Sequence, residues 1–442
     1  MSWATSGRGQ NRVVRSGLRS RVVASDTERL TEHTRARVAA GPVVHPHRGE
    51  HPVRDDVDLL DGRFYATEPH EAWGWMRENA PAYHDPHSDV WALTRYDDVM
   101  AASRDPHTFS NAQNIRPQAT PVPMMISMDD PEHKRRRKLV SKGFTPRRVA
   151  EQAPRIAGIC DVLIDAVADR GECDFVADLA APLPLIVIGD MLGVAPEDRD
   201  DLLRWSDTML RATTSTDLAA LEDGGRALEE YQAYLDGVIA DRRAHPRDDL
   251  ISVLVHAEVD GDRLDDESLL WETLLVLVGG DETTRHVLSG GLHALLLSGE
   301  GERLRAEPQL LDSAVEEMLR WVSPIKTMNR RVTRDVAVAG QQIEAGDDVL
   351  LVYPSANRDH RQFPDPDRFD IGRDPNHHVA FGFGAHFCLG NALARVELRA
   401  MFDRLATRLP HLEPAWGSTD PPRRPSSFIS GFEALPVTFP SV

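Results

Sequence analysis

Phe381-Gly382-Phe383-Gly384-Ala385-His386-Phe387-Cys388-Leu389-Gly390 is the stretch on which the reading of this chain turns. Its glycines allow positive φ and let the backbone come close to a flat ligand. The residues that follow, from Asn391 through Phe402, are strong helix formers with an apolar face. Cys388 therefore stands just before a helix N-terminus, where partial positive charge and free N–H groups favour a thiolate. These features suit a loop that gives a thiolate to a haem iron, and a thiolate ligand there favours O–O cleavage. A buried structural cysteine beside a glycine turn is the plainer alternative for a lone Cys.

The spacing decides between them. F-G-x-G-x-H-x-C-x-G followed by Leu393-Ala394-Arg395 resembles the signature of the cytochrome P-450 family at every fixed position. The resemblance implies haem b held by Cys388, with Phe381, Gly382 and Gly390 against it. A second motif, Gly279-Gly280-Asp281-Glu282-Thr283-Thr284, lies in the middle of a long helical stretch. Adjacent glycines inside a helix cost roughly 1 kcal/mol each relative to alanine. A buried helix that carries them commonly opens its hydrogen-bond ladder there, and a hydroxyl and an acid beside the opening can hold water and pass protons. Close packing on small residues is the plainer account. The motif resembles the family's oxygen-activation motif, which gives Thr283 a hydrogen bond to dioxygen in the site and Glu282 a place in a proton relay.

Glu317 and Arg320 are i, i+3 on one helix face. Alone the pair is weak evidence, but Phe363-Pro-Asp-Pro-Asp-Arg-Phe369 follows in the family's order. The resemblance puts Arg368 into a buried structural network with them. It also assigns His133, Arg137, Arg330 and His378 to the haem propionates, with Arg331 leaving the Arg330 assignment open by one residue. His386 is expected on the proximal side and not as an iron ligand. Zinc is the competing chemistry, with His386 and Cys388 as two ligands. Cys160 and Cys173 have no C-x-x-C partner, which argues against it.

The 442 residues carry net charge −19, which argues against nucleic-acid binding. Lysine occurs only at Lys134, Lys138, Lys142 and Lys326. With Arg135 and Arg136 the first three make a basic cluster, either a solvated helix face or a docking patch for an acidic electron donor. Soluble bacterial members of the family take electrons from a ferredoxin and its reductase, ultimately from NAD(P)H, which favours docking. Three cysteines suit a reducing cytosol, and no apolar run approaches the ~20 residues that span a bilayer. The expected location is cytoplasmic.

Residues 1–56 are Arg- and His-rich without periodicity and read as a disordered extension, with a faint likeness to a transit peptide. The folded domain is expected over 57–442. It should be mostly α with small β-sheets, which the resemblance makes a single prism-shaped domain. Its central helix should run from Asp265 to about Leu297, and Phe428 to Phe439 should form a hairpin.

The implied reaction is monooxygenation of a C–H bond with dioxygen. Val57-Asp-Leu-Leu-Asp-Gly-Arg-Phe-Tyr-Ala, Pro123-Met-Met-Ile-Ser-Met-Asp-Asp-Pro and Val278-Gly-Gly-Asp-Glu-Thr-Thr-Arg-His are similar to one branch. Its actinobacterial enzymes hydroxylate the terminal side-chain methyl of cholesterol and cholest-4-en-3-one. Met124, Met125, Val278, Gly279, Ile325, Met328, Phe428 and Ile429 are the pocket candidates by family position; ordinary core packing is the plainer role for each side chain among them. Another lipid, a terpenoid or a polyketide stays open as substrate, as does a haem carrier or sensor without turnover. A carrier has no use for Glu282-Thr283, and peroxide-driven relatives usually lose that pair.

Overall fold

The computed structural model describes residues 51–112, 115–117, 122–214 and 217–441. The extension expected over 1–56 lies outside the described residues as far as 50. Residues 51–56 belong to the folded body: His51 Nε2 accepts the His84 N–H at 3.0 Å, and Tyr83 Oη accepts the Arg54 N–H at 3.2 Å. The expected boundary at Val57 is therefore too late.

The helix Asp266–Ser298 organises the rest. Asp265 caps it by accepting from the Ser268 N–H at 2.8 Å, which meets an otherwise unpaired helix-start donor. Its two halves serve different cores. Leu269, Leu270, Leu274, Val276 and Leu277 pack with Trp205, Tyr231 and Ile239 from the helices Arg199–Thr214 and Leu218–Ala244. Val287, Leu288, Leu292 and Leu295 pack with Met318, Leu398, Met401 and Phe402 from Leu311–Val322 and Asn391–Arg408. The Gly279–Thr284 motif falls between the two cores. Beyond it, a Cβ at Gly291 would stand 2.9 Å from the Met318 side chain, so glycine sets how closely those helices approach.

A five-stranded sheet flanks the helices in the order Ala82–Asp85, Val90–Leu93, Asp348–Val352, Thr327–Val332, Phe109–Ser110. Val90–Leu93 and Asp348–Val352 pair in parallel and the other neighbours antiparallel. The C-terminal hairpin does not form. Pro436–Thr438 pairs with Glu172–Asp174 and with Glu413–Pro414, while Ile429 bridges to Ile325. Among the described residues no helix is long and apolar enough to cross a membrane.

Candidate active site

One large cavity, about 1420 Å³ counted with its mouth, lies between the central helix and the Cys388 loop. Cys388 is in its wall, and the partial exposure of this residue is to that internal space. The loop is locally determined. Gly382 and Gly384 have φ of +67° and +75°, and a Cβ at Gly384 would stand 2.4 Å from the Ser103 carbonyl oxygen. The Cys388 N–H donates to Phe381 O at 2.9 Å, and Asn391 Nδ2 to Cys388 O at 2.7 Å. Burial pushes the thiol pKa up, while the Gly390 and Asn391 N–H groups and the guanidiniums of Arg137 and Arg395 pull it down. A metal held here would further favour the thiolate.

The rim is rich in donors. Arg137 reaches the Cys loop itself, donating to Ala385 O at 3.1 Å and Phe387 O at 2.5 Å. On the strand Thr327–Val332, Met328 and Arg330 face the cavity as alternate residues should. Arg331 faces away, toward Asp348 at 3.1 Å, so of the two arginines Arg330 is the one that reaches the cavity. His133 and His386 line the cavity with ring centroids 4.0 Å apart. Burial depresses both imidazoles, and each also feels Arg137. His378 does not reach the cavity. Its Nε2 lies 3.1 Å from Glu316 Oε2, in a cluster with Arg395, so the fourth rim residue is His386. Tyr353, which sequence reasoning missed, also lines this rim.

The central helix forms the opposite wall through Gly279, Gly280, Thr283 and Thr284. It stays helical throughout, so the expected opening is not seen; the Thr283 hydroxyl instead donates to Gly279 O at 2.8 Å. A Cβ at Gly279 would meet nothing within 4 Å, so that wall is open to a flat group. A soft sulfur ligand, a donor-rich rim and an open glycine wall fit a haem with its two carboxylates.

Glu282 does not line the cavity. Its buried carboxylate accepts from Arg285 and, at 2.7 Å, from Arg424 Nη1. Two further carboxyls were not foreseen. Asp281 and cavity-lining Glu397 are buried and interact, and both are pushed well above the carboxylate range, by burial first. Among the described residues neither Asp281 oxygen has a hydrogen-bond partner.

Glu317 and Arg320 form the buried pair anticipated from their spacing, Nε to Oε2 and Nη2 to Oε1 both at 2.7 Å. The second arginine on Glu317 is Arg373, at 3.2 Å, and not Arg368. The Arg368 residue is exposed and contributes only its carbonyl, which accepts from Arg320 and Arg373.

Among the pocket candidates, Met125, Gly279, Ile325 and Met328 line the cavity, beside Ile126, Ile188 and Val276. Phe428 and Ile429 form an adjoining apolar cluster with Leu210, against which Val278, Ile325 and Met328 pack. Met124 packs into the core around Trp205 instead.

The basic cluster on Glu132–Val140 is partly neutralised. Arg135 lies 3.7 Å from Asp262 and Lys138 3.6 Å from Asp260. Lys142 donates to Glu258 O at 2.5 Å. Arg136 turns inward to Glu272, whose Oε1 also accepts from the Met125 N–H at 2.8 Å. Glu272 thus ties the Met125 loop and the basic helix to the central helix.

Burial pushes the Glu272 pKa up to about 7. Unfolded, it titrates near 4.3, so between those values the folded state binds more protons and stability falls as pH rises. Above about 7 the effect is fully expressed. Glu272→Gln is expected to flatten the decline in Tm between about pH 4.5 and 7, by at most ~1.4 kcal/mol per pH unit. Thermal scans at stepped pH read this, and an unchanged slope refutes it.

The family model described as Cytochrome P450 matches residues 217–414. A steroid C26-monooxygenase of Mycobacterium tuberculosis is 51% identical over 389 residues, covering 87% of this chain and 97% of that protein. The solved structure of the bacillaene polyketide synthase cytochrome P450 PksS of Bacillus subtilis superposes with a TM-score of 0.80 at 34% identity, covering 87% of this chain and 99% of that one. A cytochrome P450 of Bacillus megaterium in complex with testosterone gives a TM-score of 0.77 at 35% identity, covering 84% and 99%.

Proposed function

This chain belongs to the cytochrome P450 family, and from that membership we propose that it hydroxylates the terminal side-chain methyl of a sterol such as cholest-4-en-3-one. The observation that carries the substrate is the 51% identity to a steroid C26-monooxygenase across 97% of that enzyme's length. The apolar wall of Met125, Ile126, Ile188, Val276, Ile325 and Met328 supports a substrate with almost no polar surface.

Haem b, when bound, supplies the activation of dioxygen with electrons that come ultimately from NAD(P)H. Cys388 would hold the iron. Arg137, Arg330, His133 and His386 would hold the propionates, with the guanidiniums offering charge-assisted donors. Thr283 Oγ1 can leave the Gly279 carbonyl and present its proton to the reacting oxygen. Glu282 restores that proton from the far side of the helix. Electrons enter from a ferredoxin, itself served by a ferredoxin reductase, docked on Lys134, Arg135 and Lys138. That helix also carries Arg137, whose bonds to Ala385 and Phe387 join the docking face to the Cys loop.

Titration with cholest-4-en-3-one should shift the haem spectrum from low to high spin. Turnover should give a product bearing one added oxygen on the side chain, read by mass spectrometry. A shift with a polyketide or terpenoid scaffold and none with sterols overturns the substrate assignment.

A further inference from the structure

His286 lies one helical turn after Glu282, with Nε2 3.6 Å from Glu282 Oε2. The residue is only 1% exposed, and among the described residues neither ring nitrogen has a hydrogen-bond partner. A buried ring with both nitrogens unpaired loses free energy unless water serves it. The ring lines a second, smaller cleft, distinct from the haem cavity, together with Glu68, His293, Lys326, Arg423 and Ser430. A Cβ at Gly431 would stand 2.4 Å from His286 Nδ1, so glycine makes room for the ring there.

The cleft reaches the protein surface. The Glu68 side chain is 35% exposed and pairs with Arg423 at 3.4 Å. His293 pairs with the 42% exposed side chain of Asp420 at 3.2 Å. Polar groups thus continue from solvent to His286, and His286 abuts Glu282.

The other groups around Glu282 are less suited to conduct. Arg285 and Arg424 hold its carboxylate, but a guanidinium only donates hydrogen bonds and has no acceptor for an incoming proton. Asp207 is also close to Glu282, yet it stands beside both guanidiniums, at 3.9 and 3.8 Å, and does not line the cleft. Burial, then Arg285, Arg424 and Lys326, keep His286 neutral. A neutral imidazole can accept a proton on one nitrogen while releasing one from the other.

We propose that His286 is a positioning residue for proton delivery, passing protons from the Glu68–His293 cleft to Glu282 by a path separate from the substrate cavity. The inference rests on the reading of Glu282 as the proton donor to Thr283. The net reaction joins R–H, O2, two electrons and two protons to give R–OH and water. Each proton leaves a hydronium in the cleft, bonds to one His286 nitrogen, and displaces the proton on the other nitrogen to a Glu282 oxygen.

The test uses the haem-loaded full chain with ferredoxin, reductase and cholest-4-en-3-one, in H2O and D2O. Product per NAD(P)H and the solvent isotope effect are measured, with the ferrous–CO spectrum and the spin shift as fold controls. Glu282→Gln should lower turnover about a hundredfold, His286→Leu about tenfold, within the range of positioned proton transfer. His286→Leu should also raise the solvent isotope effect roughly twofold and divert electrons to peroxide, because a slowed proton step becomes rate-limiting. The double variant should be no slower than Glu282→Gln, since the two act in series.

Wild-type rate and isotope effect in His286→Leu, with Glu282→Gln impaired, overturn the inlet alone. So does an isotope effect that moves in Asp207→Asn and not in His286→Leu. Wild-type behaviour of Glu282→Gln overturns the Glu282 reading itself. If His286→Leu loses its ferrous–CO band, His286→Gln, which fills the site but cannot carry a proton, is judged by the same criteria.

Discussion

Cys388→Ala is expected to lose the strongly red-shifted Soret band of the reduced CO complex and to bring hydroxylation to background. The thiol is the one sulfur among the three cysteines that faces the cavity. Two backbone N–H groups and two guanidiniums favour its ionised form against the effect of burial. Alanine removes the donor and leaves that field acting on nothing. Cys160 and Cys173 give the control. Both are buried in the core beside the central helix, and burial pushes both thiols up to about 12. Cys160→Ala and Cys173→Ala should cost stability through lost packing but keep the CO band. A red-shifted band surviving in Cys388→Ala, or vanishing in Cys160→Ala with the fold intact, overturns the assignment.

What the sequence reveals here is what is local. The Cys loop is legible because its glycines answer to nearby backbone, as Gly384 does to the Ser103 carbonyl, and its cysteine answers to the helix that follows. The Glu317–Arg320 pair is legible because i, i+3 spacing fixes a shared helix face. Each miss involves a partner supplied by distant chain. Arg368 and Arg373 lie in the same meander, and only the path of that meander decides which guanidinium turns to Glu317. His378 and His386 both precede Cys388, but Glu316 on another helix captures the first. Asp281 and Glu397 come together only because the central helix packs on Asn391–Arg408. The C-terminal segment alternates like a hairpin, yet its last strand finds Glu172–Asp174 as partner. His51 looks like part of a polar tail until its ring is seen bonded to the His84 backbone.

The correction from Arg368 to Arg373 has a large consequence for stability. Glu317 and Arg320 are both fully buried. Besides Arg320, Glu317 accepts from the Asp370 N–H at 2.9 Å and Asn376 Nδ2 at 3.0 Å, as well as from Arg373. Arg320 in turn donates to the carbonyls of Asn357, Pro366 and Arg368. These bonds fasten the meander from 357 to 376, which leads directly into the Cys388 loop. Glu317→Ala strands two guanidiniums in the interior, and breaking a buried pair in this way costs about 3–5 kcal/mol. It is expected to lower Tm steeply and to leave little haem-loaded protein with an intact CO band. Arg373→Ala should follow it in kind and in sign, because the same carboxylate loses a donor and the carbonyls of Pro364 and Asp365 lose theirs. Arg368→Ala removes an exposed side chain outside the network and should stay within about 0.5 kcal/mol of the parent. Thermal unfolding and the yield of the ferrous–CO complex, measured on all three variants, separate the two arginines. A destabilised Arg368→Ala beside a parent-like Arg373→Ala would show that Arg368, and not Arg373, completes the brace beneath the thiolate.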